Sequence, residues 1–172
     1  MTVGLLSDTH GFLDDVLLEH FKDCDELWHA GDLGPGESGP CGLLDRLKSF
    51  KPLRAVYGNI DGAEIRADLP ANLVWECEGV RVYMTHIGGY PGNYDRRAKA
   101  ELVRHKPDLF ICGHSHILRV MRDPDLNLLH MNPGACGHKG WHKVRTALRF
   151  RIENGKIADV VAIELGARGR SR

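Results

Sequence analysis

The stretch LFICGHSH, Leu109–His116, runs four largely apolar residues straight into a glycine and then two histidines one position apart. Such a run reads as a buried strand that ends by presenting two imidazoles together. The same arrangement recurs upstream. GLLSDTH (Gly4–His10) ends in Asp8 and His10, ELWHAGD (Glu26–Asp32) in Asp32, LRAVYGN (Leu53–Asn59) in Asn59, and VRVYMTH (Val80–His86) in His86. If these strands lie side by side, five polar clusters project from their carboxyl ends, where open α/β sheets bind ligands.

In extended chain, residues i and i+2 point to the same side, so Asp8 with His10 and His114 with His116 are each expected to offer two ligands to one small volume. Gly31, Gly58 and Gly113 stand immediately before Asp32, Asn59 and His114, where the chain must turn sharply or let another backbone come close. Each cluster alone has an ordinary reading as a turn, a helix cap or a surface histidine. Together they amount to four imidazoles, two carboxylates and one amide with no thiolate. That set suits two borderline divalent cations such as Mn²⁺, Fe, Zn²⁺ or Ni²⁺.

The remaining pattern frames these strands. FLDDVLLEHFKD (Phe12–Asp23) predicts a helix with Phe12, Val16, Leu17, His20 and Phe21 on one stripe. YDRRAKAELVRHKP (Tyr94–Pro107) predicts another, with Tyr94, Ala98, Leu102 and His105 in line before Pro107, and LLDRLKSF (Leu43–Phe50) a weaker third. ECEGVRV and RIENGKIA carry hairpin turns, Asn154-Gly155 being the two-residue signal. The expected fold is α/β: two mixed β-sheets packed as a sandwich flanked by helices, the early strands parallel and the later ones antiparallel.

A chain of 172 residues reads as one domain, shorter than the roughly 250 of an (α/β)₈ barrel. The domain is expected over residues 1–165, with 166–172 as a basic, disordered tail. Lys plus Arg and Asp plus Glu both number 23, so no overall field draws the chain to a membrane or to long nucleic acids. No apolar run reaches the ~20 residues of a membrane span, and a site residue lies too close to Met1 to leave room for a signal peptide, so the expected location is cytoplasmic. The five cysteines form no C-x-x-C pair and read as small buried thiols.

The ordered series D-x-H, G-D, G-N, T-H and G-H-x-H resembles that of the calcineurin-like metallophosphoesterases, in particular their small single-domain bacterial and archaeal phosphodiesterase branch. The resemblance runs from Val3 to the NPGACG loop and the last hairpin. It implies the same two-sheet sandwich and a dinuclear, metal-dependent hydrolase of small phosphodiesters, in which a metal-bridging hydroxide attacks phosphorus. Carried over by position, Asp8, His10, Asp32 and His116 hold one metal and Asp32, Asn59, His86 and His114 the other, so that Asp32 bridges both. Manganese is the first expectation, and Asp32, Asn59 and His114 are the residues closest to catalysis, with Asn59 also offering an amide N–H to the phosphate. A homo-oligomer is left open, since small relatives often self-associate.

One position departs from the pattern. Where relatives carry histidine or cysteine after G-N, this chain has Ile60, which cannot protonate a leaving group. The leaving group then departs unassisted, is protonated by water, or is served by another group such as His138 or His142 of the GACGHKGWHK segment. Asp61 keeps the acidic residue, either bonded to a ligand histidine or as a plain turn residue. The Gly-rich loops GPGESGPCG, IGGYPGNY and NPGACGHKGW are expected to set substrate choice. Tyr90, Tyr94 and Trp141 could stack on a base, and Arg96, Arg97 or Lys139 could hold a phosphate; Asn59, Tyr90 and His138 are the substrate contacts expected first. Two other readings share the fold: a phosphomonoesterase or nuclease, and a non-catalytic metal-binding interaction scaffold, as in a eukaryotic retromer subunit that resembles these enzymes. Retention of all seven ligand positions favours catalysis.

Overall fold

The computed structural model describes residues 1–36 and 39–169. One sheet is built on three parallel strands, β1 (Thr2–Leu6), β2 (Glu26–His29) and β3 (Leu53–Ala55), with β11 (Val144–Glu153) antiparallel to β1 and β12 (Lys156–Ala167) closing the edge. The other has the order β4 (Asn72–Cys77), β5 (Val80–Thr85), β8 (Leu109–Ile111), β10 (Leu128–Pro133), β9 (Leu118–Asp123). A small hairpin of β6 (Gly89–Tyr90) and β7 (Asn93–Tyr94) stands apart. The sandwich agrees with the expected α/β class. The expected division into early parallel and late antiparallel strands does not hold in the second sheet, whose centre, β5, β8 and β10, is parallel and whose edges alone are antiparallel.

Alternation along the strands sorts their side chains into layers. Val3, Leu5, Trp28 and Val56 face Val82, Met84, Leu109, Ile111 and Met131 to form the core between the sheets. The opposite faces are also covered. Leu6 and Leu27 pack beneath α1 (Asp15–Phe21) and α2 (Gly42–Phe50), and Tyr83 and Phe110 beneath α4 (Arg96–His105). Strands buried on both sides need apolar residues at every position, which is why these runs are continuous.

Asp14 caps α1 by accepting from Val16 N at 2.9 Å, and Asp95 caps α4 by accepting from Arg97 N and Ala98 N. In α4, Ala98 and Leu102 are buried as expected. In α1 the stripe is rotated: Leu17 and Phe21 are buried, while Val16 is 57% exposed and His20 faces solvent. α3 (Ala63–Asp68), a six-residue helix, was not expected. Both predicted hairpins form, with Asn154, Gly155, Glu78 and Gly79 at positive φ as a primed turn requires. β12 runs to Ala167, and Arg168 N–H donates to Lys143 O, so ordered chain continues past the expected boundary at 165. Arg170 and Arg172 of the expected tail lie outside the described residues. No described helix is long and apolar enough to cross a membrane.

Candidate metal centre

The five polar clusters follow the carboxyl ends of β1, β2, β3, β5 and β8, and the structure brings all seven expected ligand residues together where the two sheets meet. They fall into two groups, Asp8, His10 and His116 in one and Asp32, His86 and His114 in the other, each with its donor atoms within 4.8 Å of one another. Asn59 joins the second group, its Oδ1 lying 3.1 Å from His86 Nε2. Asp32 reaches both, with Oδ1 at 3.2 Å from His86 Nε2 and Oδ2 at 3.9 Å from His10 Nε2.

The means of convergence differs from the expected strand alternation. β1 stops at Leu6 and β8 at Ile111, and the ligand residues beyond them are not extended. Asp8 (φ 55°), His10 (φ 50°), Asp32 (φ 56°), His114 (φ 65°) and His116 (φ 58°) all adopt the left-handed conformation. A non-glycine residue there costs about 1–2 kcal/mol, and clusters of such residues mark functional sites whose surroundings hold them in place. Here those surroundings are backbone ladders between loops: Asp8 N–H donates to Gly31 O, His10 N–H to Asp32 O, and Gly113 N–H to His86 O.

Glycine makes this closeness possible at all three expected positions; a Cβ on Gly31, itself at φ 94°, would lie 2.6 Å from His86 Nδ1. A Cβ on Gly58 would lie 2.0 Å from Asp32 Oδ1 and 2.3 Å from its backbone nitrogen. A Cβ on Gly113 would lie 2.1 Å from Ser7 Oγ and 2.8 Å from Asp8 Oδ2. Asp61 uses both carboxylate oxygens to tie the same loops, accepting from Gly34 N at 2.8 Å and Gly58 N at 2.7 Å. It bonds backbone and not a ligand histidine. Arg66 clamps the same turn through the carbonyls of Gly58, Asn59 and Asp61.

The donor chemistry fits cations. Asp8 is fully buried; its Oδ2 accepts from Ser7 Oγ (2.6 Å) and His114 N (3.1 Å), while Oδ1 has no hydrogen-bond partner and lies 3.1 Å from His116 Nε2. An orphaned buried carboxylate oxygen is costly unless a positive charge meets it. The ring orientations agree. Ala30 O can only accept, so His86 Nδ1, at 2.7 Å, carries a proton and directs Nε2 toward Asn59 and Asp32. Burial opposes a charge on His86, but the hydrogen bond and charge of Asp32, with Asp8, outweigh it and hold its pKa above the ordinary value. Burial also opposes the Asp32 charge, and His86 and the Ile60 N–H more than offset it, keeping Asp32 ionised below the ordinary carboxylate range. His10 and His114 are pushed down, chiefly by burial, and present neutral nitrogens near pH 7.

Three further residues support the ligands, each through at least one partner distant in the chain. His142 Nε2 donates to Gly137 O at 3.0 Å, which leaves its Nδ1 to accept from His116 Nδ1–H at 3.2 Å and turns the bare Nε2 of His116 into the centre. Histidine ligands are commonly oriented this way. His142 therefore stands behind a ligand and not beside a leaving group. His29, fully buried with a pKa lowered to about 4 by burial, accepts from Gly31 N and meets Thr9 Oγ1 at 3.0 Å, fixing the loop between Asp8 and His10. Asn132 donates to Gly113 O and to Ser115 Oγ, bracing the loop that holds His114 and His116.

The expected substrate contacts are placed differently. His138 packs against the Phe12 ring at 4.1 Å and its Nδ1 meets Arg168 O. Tyr90 lies under the Arg119 guanidinium at 3.9 Å, and the Tyr94 hydroxyl donates to Asp123 at 2.6 Å. The cleft that adjoins the centre, about 710 Å³, is lined by Asn59 and His86 but by none of these three.

The calcineurin-like phosphoesterase superfamily domain matches residues 1–155. Among solved structures, an archaeal phosphodiesterase superposes with a TM-score of 0.74 at 21% identity, covering 96% of this chain and 100% of that one. Wild-type Vps29 from Entamoeba histolytica complexed with zinc gives a TM-score of 0.71 at 18% identity, covering 98% of this chain and 100% of that one. An uncharacterised protein, a predicted phosphoesterase, from Streptococcus pneumoniae gives 0.64 at 20% identity, covering 96% and 97%. At these identities the likeness is one of fold. No curated protein matches the chain.

Proposed function

The chain belongs to the calcineurin-like phosphoesterase superfamily, and from that membership we propose a dinuclear, metal-dependent phosphoesterase that hydrolyses small phosphodiesters. The observation that carries this reading is the Asp32 carboxylate, one oxygen turned to each ligand group, beside a buried Asp8 oxygen that has no hydrogen-bond partner. Asp8, His10, Asp32 and His116 would hold one divalent cation, and Asp32, Asn59, His86 and His114 the other. Two such cations, when bound, supply Lewis-acid stabilisation of a phosphate and a water acidic enough to attack near neutral pH. Manganese is our preferred pair, with iron, zinc or nickel compatible with an N/O donor set.

The chain's own groups then have distinct tasks. With Asn59 Oδ1 turned to His86, the Asn59 amide keeps its N–H donors for a phosphate oxygen whose charge grows during attack. His114 is the exposed member of its group. Ile60 fixes Asp32 Oδ1 through its backbone N–H at 3.0 Å but its side chain carries no proton, so departure of the leaving group receives no acid from this position. We infer a preference for good leaving groups.

The deciding experiment measures bound metal on purified protein and assays phosphomonoesters and diesters with added Mn²⁺, with Asp32→Ala alongside. We expect two metals per chain, faster cleavage of diesters, and loss of both metal and turnover in the variant. An Asp32→Ala protein with full metal and full activity overturns the bridging role. Faster monoester cleavage replaces the substrate class, and metal binding without turnover on any ester identifies a scaffold.

A further inference from the structure

The cleft of about 710 Å³ shares Asn59 and His86 with the metal centre and continues to the start of α4, where Arg97 lines it. That size falls within the roughly 300–1,000 Å³ of small-molecule sites and exceeds what a lone phosphate needs. Its charged groups are unequally partnered. Asp95 is spent on the α4 cap, accepting from Arg97 N at 2.8 Å and Ala98 N at 3.2 Å. Glu101 pairs with Arg104 at 3.7 Å and lies 3.0 Å from His105 Nε2. Arg66 meets carbonyl oxygens and no carboxylate, and the Arg97 guanidinium has neither a hydrogen bond nor an ion pair among the described residues. The cleft thus holds two cations and two acids, and of these four groups only the Arg97 guanidinium has no partner among the described residues. Ile87, 43% exposed, and Tyr57 supply apolar wall.

We propose that this cleft binds the part of the substrate beyond the scissile phosphate, and that this part carries a second anionic group received by Arg97. The proposal rests on the hydrolase reading above and narrows it to nucleotide-sized diesters with a further phosphate or carboxylate. Of the three basic residues that sequence alone offered for a phosphate, Arg97 lines the cleft and Arg96 and Lys139 do not.

The test compares two chromogenic esters that differ by one phosphate group: thymidine 5′-(p-nitrophenyl phosphate) with and without a 3′-phosphate. The 3′-phosphorylated ester is expected to have a kcat/KM about tenfold higher, the size of one charge-assisted contact. Arg97→Gln should bring that ratio close to one, Arg97→Lys should retain part of it, and Lys99→Gln, on the same helix but outside the cleft, should leave the ratio intact. Calorimetric titration with thymidine 3′,5′-bisphosphate and thymidine 5′-monophosphate reads the same contrast without turnover. A wild-type ratio near one, or a ratio unchanged in Arg97→Gln, overturns the cleft assignment. If neither ester is cleaved by metal-loaded protein, the hydrolase reading fails, and the two affinities still decide whether Arg97 receives an anion.

Discussion

Asp8 Oδ1 lies 3.1 Å from His116 Nε2, the carboxylate carried by the end of β1 in one sheet and the imidazole by the loop after β8 in the other. A cation held between them would tie the two layers together. At a metal concentration of 100 times Kd, binding adds about 2.7 kcal/mol of stability. For a chain of this size that is a rise in Tm of about 5–10 °C. Differential scanning calorimetry with Mn²⁺ and then EDTA should show the rise and its reversal. His116→Ala should show no metal-dependent shift of this size.

His142→Ala is expected to weaken metal binding by about 10–100-fold, the usual penalty for losing the partner that orients a histidine ligand. The fold should remain, because His142 lies in a loop and is only partly buried. Metal titration against a competing chelator measures the change. An unchanged affinity removes His142 from the site.

Ile60→His should restore a proton donor beside Asp32. With an alkyl leaving group, which needs protonation, the rate should rise toward the 10²–10⁴-fold typical of general acids. With p-nitrophenolate the rate should barely move. Equal effects on the two leaving groups would mean that Ile60 does not limit departure.

Gly58→Ala should disable the centre without touching a ligand, since the new Cβ would fall 2.0 Å from Asp32 Oδ1. The loop must shift to accommodate it, and Asp32 with it. Loss of one or both metals at an otherwise native circular dichroism spectrum is the expected result.

His130 links acidity to stability. It is fully buried, neither ring nitrogen has a hydrogen-bond partner, and burial lowers its pKa from 6.5 to about 4. The folded state thus keeps it neutral while the unfolded chain takes up a proton near pH 6.5. Its effect is absent above pH 6.5, and stability is lost as pH falls from about 6.5 to about 4, by an amount on the order of 3 kcal/mol. His29 acts in the same direction, so the contribution of His130 is read as a difference. Urea unfolding at pH 7 and pH 4.5 should show a smaller acid loss in His130→Leu than in wild type.

Much of the site was legible because its residues follow strand ends, and strands announce themselves as apolar runs. Asp8, Asp32, Asn59, His86 and His114 needed only that rule. The left-handed backbone at five ligands was not legible, because nothing in Asp-Thr-His or His-Ser-His fixes the sign of φ for residues that are not glycine. His142, His29 and Asn132 were missed for a different reason: each acts through a hydrogen bond to a residue far along the chain. Tyr90 and His138 were expected at the substrate because their loops are Gly-rich, yet Arg119 covers one and Phe12 packs against the other. In α1 the continuous apolar run left the buried face undetermined by one residue, and packing chose Leu17 and Phe21 over Val16.

The bent conformations at Asp8, His10, Asp32, His114 and His116 are held by backbone ladders between loops from different strands. One rung, His10 N–H to Asp32 O, joins a member of one ligand group to a member of the other. The two halves of the centre are therefore mechanically linked, and a change that breaks this rung should displace both together.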